Sequence, residues 1–204
     1  MRDSPMKESD AVDTPFSILV VAASAGGLKA LKSLLSALPG DFRLPIAVVQ
    51  HLDPRNTSLI ADILDRNSAL RVKDVEDEES LQKGTVYFAK PDYHMLVNRD
   101  GTVSLTKTEL VHFVRPSADL LFESAAASYR EGTIAVVLTG TGSDGSLGVK
   151  AVDMTGGTVI VQEAETSEFE GMPLAAIATG AVDFILPLEE IPAAILKLVE
   201  ERDR

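Results

Sequence analysis

The segment that most constrains the fold of this chain is residues 22–27, which have the sequence AASAGG. It follows the almost wholly apolar run 18–22, which is typical of a strand buried on both faces. It precedes leucines that recur at helical spacing over residues 28–38. The small residues on either side of Ser24 allow a sharp turn from strand to helix, which raises the serine hydroxyl at the carboxyl edge of a sheet. Ser24 is therefore a candidate nucleophile, and the alternative interpretation is that it caps the following helix.

Short apolar runs alternate with helix-length amphipathic stretches along the rest of the chain. The pattern predicts strands at 18–22, 46–50, 85–89, 134–138, 158–162 and near 183–186. It predicts helices at 28–38, 58–67, 117–129, 146–154 and 191–200, and a short helix from residue 173. Residues 95–106 predict a hairpin, because Asn-Arg-Asp-Gly at 98–101 favours a turn between two alternating segments. Together these elements predict an α/β fold: a doubly wound, mostly parallel sheet with helices on both faces and an inserted antiparallel hairpin.

Length and composition narrow the class of protein. A chain of 204 residues with 45% apolar residues buries one sizeable core, so we expect a flexible tail at 1–14 and a single domain at 15–204. The absence of cysteine excludes disulfides and thiolate chemistry. The net charge of −12 argues against nucleic-acid binding. Because the sequence has neither a secretory signal nor an apolar stretch near the roughly 20 residues that span a bilayer, we expect a cytoplasmic protein without membrane insertion.

His51 directly follows the second predicted strand and is one of three histidines. Because sequential strands often lie side by side, it is placed to act as a general base toward Ser24. The alternative is that its ring makes only a loop hydrogen bond. We interpret the other two histidines, His94 and His112, as surface or structural residues, and three histidines so far apart predict no metal site.

The glycine-rich segment 138–145, LTGTGSDG, follows another predicted strand and opens a helix. It contains a literal G-x-G-x-x-G, and Glu163 follows 18 residues after Gly145 (163 − 145), as in a dinucleotide-binding fingerprint. Asp144 argues against that reading, because its charge would lie beside the pyrophosphate. The competing hypothesis makes Asp144 the carboxylate that orients His51, with nearby backbone N–H groups as oxyanion donors.

Six motifs in the same order resemble the catalytic domain of the chemotaxis protein-glutamate methylesterases (CheB type), over nearly all of residues 18–199. The motifs are Ala23-Ser24-Ala25-Gly26-Gly27, Val49-Gln50-His51, Ala89-Lys90-Pro91-Asp92-Tyr93-His94-Met95-Leu96, Arg115-Pro116-Ser117-Ala118-Asp119, residues 138–145 and Gly171-Met172-Pro173. The resemblance implies Ser24 as nucleophile, His51 as base, Asp144 as orienting carboxylate and the backbone N–H of Thr141 as an oxyanion donor. It also implies that no metal or organic cofactor is needed.

The resemblance further implies hydrolysis of glutamate γ-methyl esters on the cytoplasmic helices of chemoreceptors or receptor-like signalling proteins, with glutamine deamidation as a related activity. The sequence has too few residues before its first strand for the family's receiver domain. We therefore expect an excised domain, a stand-alone enzyme, or a partner of a separate regulator or methyltransferase. Two alternatives stay open: a catalytically silent scaffold with this fold, and a dinucleotide-binding domain that uses residues 140–145.

Overall fold

Seven parallel strands form the centre of the molecule, in the order β3-β4-β2-β1-β7-β8-β9. The computed structural model describes residues 18–51 and 59–202. Its strands are β1 Ile18–Ala23, β2 Ile46–Gln50, β3 Arg71–Asp74, β4 Thr85–Phe88, β5 His94–Val97, β6 Val103–Thr106, β7 Thr133–Val137, β8 Thr158–Gln162 and β9 Phe184–Leu186. Its α-helices are α1 Gly27–Ser36, α2 Ile60–Asp65, α3 Ala118–Tyr129, α4 Ser146–Met154, α5 Gly171–Ile177 and α6 Ile191–Arg202.

The strands at the middle of the sheet are buried along their whole length, which explains their nearly continuous apolar sequences. Every residue of β1, β2 and β7 is buried, because helices cover both faces of the sheet. On one face, α1 and α6 pack against side chains such as Leu19 and Val21. On the other face, α3, α4 and α5 pack against the alternate side chains of β1, including Val20. The predicted doubly wound α/β fold is confirmed.

The chain reverses its direction of winding between β1 and β7. The helix that follows β1 packs on one face of the sheet, and the helix that follows the neighbouring strand β7 packs on the other. The loops after these two strands therefore diverge and leave a crevice at the carboxyl edge. Crevices of this kind are where open α/β sheets place ligands and chemistry. Residues 24–26 and 138–145 both lie at this edge.

The predicted hairpin is present as a separate two-stranded antiparallel sheet, β5-β6. It packs against α3, where the Val97 N–H donates to Ser124 Oγ and Ser128 Oγ donates to the Val97 carbonyl. This packing places His94, the first residue of β5, beside the N-terminus of α3.

One strand was missed by the sequence pattern. Edge strand β3 contains a single apolar residue, Val72, between charged neighbours, so its sequence lacks the apolar run of the inner strands. The charges of the acidic run 74–79 favour a solvated loop, but its first residue, Asp74, is the last residue of this strand. The predicted tail at 1–14 and the start of the predicted helix at 58–67 lie outside the described residues.

Candidate active site

Ser24 and His51 leave the sheet side by side. In the parallel pairing of β1 with β2, Ala23 is opposite Gln50, so the next residue of each strand is Ser24 and His51. The His51 N–H donates to the Ala23 carbonyl, which continues the ladder by one more bond. Neighbouring strands are about 4.8 Å apart, so this register brings the two candidate residues together at the carboxyl edge.

The turn that carries Ser24 is held by backbone and side-chain hydrogen bonds. Gly26 has a φ of +75°, a left-handed conformation that glycine adopts without strain, and it is the N-cap of α1. Gln50 Nε2 donates to the carbonyls of Ser24 (2.7 Å) and His51 (3.1 Å), which ties the two strand ends to each other. No side chain caps α1, so the interpretation of Ser24 as a helix cap is wrong.

His51 and Asp144 are in direct contact. His51 Nε2 lies 2.8 Å from Asp144 Oδ2, and the two side chains are 13% and 4% exposed. Asp144 lies in the loop between β7 and α4, so the loop crosses the edge of the sheet to reach the residue that follows β2. The structure thus brings together the histidine and the carboxylate that the sequence places 93 residues apart.

The Asp144 carboxylate is also held at the N-terminus of α3. Oδ1 accepts from Ser117 Oγ (2.8 Å) and the Asp119 N–H (3.2 Å), and Oδ2 accepts from the Ala118 N–H (2.6 Å) as well as contacting His51. These four contacts fill the acceptor positions of a carboxylate. Burial raises the pKa of Asp144, but the hydrogen bonds from His51, Ala118 and Ser117 outweigh it and leave the pKa below its ordinary value. The carboxylate is therefore fixed and ionised.

His94 supports the Asp144 site through Ser117. Its side chain is fully buried, Nδ1 accepts the Ser117 N–H at 3.1 Å and Nε2 lies 3.0 Å from the Glu109 carbonyl. Because Nδ1 is an acceptor, the ring carries its proton on Nε2. His94 is thus a structural residue, and it holds Ser117, which donates to Asp144.

A second histidine–carboxylate contact lies beside the first. His112 Nε2 is 3.2 Å from Asp119 Oδ2, and Asp119 Oδ1 accepts the Gly148 N–H at 2.8 Å. Burial raises the pKa of Asp119, and the neighbouring charge of Asp144 raises it further. His112 itself is half-exposed, at the rim of the crevice.

The glycine-rich segment packs too closely against Ser24 for a side chain at its first glycine. A Cβ on Gly140 would overlap Met172 Sδ and lie 2.8 Å from Ser24 Cβ. The Gly140 N–H donates to the Phe169 carbonyl, so it is already used. Packing therefore explains why residue 140 is glycine, and the contacts of Asp144 explain why residue 144 is an acid. Neither explanation requires a bound nucleotide.

Two open depressions meet at His51. A groove of about 850 Å³ is lined by Ser24, His51 and residues of α1 and α2, including Leu28 and Ile63. A cleft of about 290 Å³ is lined by His51, Thr141, Asp144 and the loop that carries His112 and Phe113. Ser24, the predicted nucleophile, lines the groove, Thr141, the predicted oxyanion donor, lines the cleft, and His51 lines both.

Sequence reasoning missed two residues of this site. Gln50 and Ser117 both occur inside motifs that support the family resemblance, but neither was assigned a role. Their importance is in their hydrogen bonds to backbone and carboxylate groups, which a sequence pattern does not show. A serine directly before a helix, followed two residues later by an acid, was the available signal for Ser117.

Within residues 18–51 and 59–202, no three His, Asp or Glu side chains are grouped as metal ligands. No helix in this part of the chain combines the length and apolarity needed to cross a bilayer.

The model of the CheB methylesterase family matches residues 19–195 of this chain. A Leptospira interrogans protein is 39% identical over 183 residues, which are 90% of this chain and 95% of that protein. Proteins named protein-glutamate methylesterase/protein-glutamine glutaminase are similar over most of this chain: one from Clostridium acetobutylicum is 38% identical over 97% of it, and one from Thermotoga maritima is 41% identical over 89%. The chain spans about half the length of these two relatives, 56% and 54%.

A solved structure from the same family is also similar to this chain. The crystal structure of the Thermotoga maritima CheB methylesterase catalytic domain superposes with a TM-score of 0.86 at 40% sequence identity. The match covers 92% of this chain and all of that domain.

Proposed function

The chain belongs to the CheB methylesterase family, and on that premise we propose that it is a serine hydrolase that demethylates glutamate γ-methyl esters on the cytoplasmic helices of chemoreceptors. The relatives' names pair this activity with protein-glutamine glutaminase activity, so deamidation of glutamine on the same helices is part of the proposal. The observation that carries it is the contact of His51 with a buried, ionised Asp144 at a strand end next to Ser24.

Ser24 is the proposed nucleophile and His51 the base that takes its proton. Because Asp144 holds Nε2, the proton of the neutral imidazole lies on Nε2 and the free lone pair on Nδ1. Nδ1 is therefore the nitrogen that accepts the Ser24 proton. In the familiar serine-protease arrangement the two nitrogens have the opposite roles, but the chemistry requires only one nitrogen toward each partner.

The reaction balances in two steps. Ser24 Oγ attacks the ester carbonyl, its proton passes to His51, and the imidazolium then protonates the departing methoxide to release methanol and leave an acyl-serine. Water repeats the sequence and releases the glutamate carboxylate. The Thr141 N–H is the proposed donor to the oxyanion, since Thr141 lines the cleft together with His51.

A methanol-release assay with a methylated receptor fragment tests the function. Ser24→Ala should abolish turnover while leaving the melting temperature close to that of the wild type, because the turn is held by backbone groups and by Gln50. The matched control is Ser36→Ala at the exposed end of α1. Turnover by Ser24→Ala at the wild-type rate would remove Ser24 from its role, and an inactive wild type would favour the silent scaffold.

A further inference from the structure

The loop at 111–114 forms a tight turn with an unusual sequence. The N–H of Val111 donates to the Val114 carbonyl at 3.2 Å, and the Val114 N–H donates to the Val111 carbonyl at 2.9 Å. The two central residues, His112 and Phe113, have φ of +49° and +64°. Two successive left-handed residues are typical of a type I′ turn, which strongly prefers Asn and Gly. A phenylalanine there is strained, and strain of this kind persists where the surroundings impose it.

The strained turn presents an aromatic ring to solvent. Phe113 is 94% exposed, the highest exposure among the large apolar residues of the described chain. It lines the 290 Å³ cleft together with His51, Thr141 and Asp144. An exposed aromatic side chain gains nothing for the stability of the free protein, so its position beside the reacting groups points to a contact made with a bound partner.

Contacts on both sides hold the turn in place. On one side, His112 Nε2 lies 3.2 Å from the buried carboxylate of Asp119. On the other side, Arg115 donates from Nε to Asp92 Oδ1 at 3.0 Å and from a guanidinium nitrogen to the Thr108 carbonyl at 2.7 Å. The turn therefore holds the Phe113 ring in a fixed position, which reduces the conformational entropy lost when the ring contacts a partner.

We propose that Phe113 is a specificity-determining residue that packs against an apolar side chain of the protein substrate, next to the esterified glutamate. The inference rests on the proposed function, because the cleft that Phe113 lines is the one in which the oxyanion and the base would act. The partner side chain is apolar, because burial of the uncharged ring against apolar atoms removes apolar surface of both partners from water.

The test compares two substrates that share the same reacting group. The first is a methylated receptor fragment, and the second is N-acetyl-glutamate γ-methyl ester α-amide, which has no neighbouring side chains. Methanol release gives kcat/KM for each ester. The ratio of kcat/KM for the receptor fragment to kcat/KM for the small ester measures what the rest of the receptor contributes to turnover. Phe113→Asn should lower this ratio about tenfold, the loss expected when one aromatic contact is removed. Phe113→Leu, which keeps an apolar surface, should recover most of the ratio.

Stability provides an independent readout, because asparagine tolerates left-handed backbone. The melting temperature of Phe113→Asn should equal or exceed that of the wild type, so misfolding would not explain a lower ratio. The control is Met154→Ala, which removes another highly exposed apolar side chain, 84% exposed at the end of α4.

Each result has a separate meaning. A wild type that hydrolyses both esters, with an unchanged ratio in Phe113→Asn, overturns the role of Phe113 and leaves the proposed function intact. A wild type that hydrolyses the small ester but no methylated receptor overturns both.

Discussion

His51 Nε2 lies 2.8 Å from Asp144 Oδ2, and the same carboxylate closes the N-terminus of α3. Asp144 therefore makes two sets of contacts: it touches the proposed base, and it accepts from N–H groups that the helix leaves unpaired. Changes at this residue should affect activity and stability together.

Asp144→Asn should lower kcat for methanol release by roughly 10⁴-fold, because an amide does not hold the imidazole in the required tautomer. The control is Asp153→Asn on the exposed side of α4. A kcat within about tenfold of the wild type would show that Asp144 does not orient the base.

The stability cost of Asp144→Asn should depend on pH. The pKa of Asp144 lies below its ordinary value of 3.8, so the folded protein binds a proton at this group less readily than the unfolded chain does. The stabilisation is fully present above the ordinary value and is lost as the pH falls through the lowered pKa. Urea unfolding of both proteins from neutral to strongly acid pH should show their difference shrinking in acid. A difference in unfolding free energy that stays constant with pH would contradict the lowered pKa of Asp144.

Asp119→Asn should have the opposite pH dependence. Burial raises the pKa of Asp119, so its ionised form destabilises the folded state above that raised pKa, and the cost disappears below the ordinary value of 3.8. The asparagine retains an oxygen for the Gly148 N–H. We expect a higher unfolding free energy at neutral pH, with a gain that vanishes in acid. A variant less stable than the wild type at neutral pH would show that the contact with His112 outweighs the cost of burial.

Ser117→Ala tests the hydrogen bond that Ser117 donates to the Asp144 carboxylate. Loss of the Ser117 Oγ–H donor should cost about 1.5–3 kcal/mol of stability, the range for hydrogen bonds to charged groups. It should also move the acid unfolding midpoint to higher pH, because the pKa of Asp144 rises when a donor is removed. The matched control is Thr133→Val, which removes another buried hydroxyl, donated to the Ala125 carbonyl. Thr133→Val should lose stability and keep its kcat, whereas Ser117→Ala should also lower kcat, because the carboxylate that contacts His51 is then held by one bond fewer. Equal kcat in the two variants would make Ser117 merely structural.

Much of the fold was predictable because local patterns reflect burial. The inner strands read as continuous apolar runs since both of their faces are covered, and the Asn-Arg-Asp-Gly turn marked the hairpin. Strand β3 was not predictable, because an edge strand with one buried side chain lacks such a run. The helix-cap interpretation of Ser24 was wrong, because the turn extends to Gly26 before α1 begins.

By itself, the sequence determined which chemical groups stand at the ends of the strands, because apolar periodicity marks where each strand stops and which residue follows it. Ser24, His51 and Asp144 were named on that basis, and their catalytic roles stay predictions. Only the tertiary structure decided which atoms meet. Asp144 contacts Nε2 of His51, Ser117 donates to the carboxylate and is itself held by His94, and Phe113 is exposed in the same cleft. The physical reason is that hydrogen bonds between side chains distant in sequence depend on strand order and loop path, which local propensity does not encode.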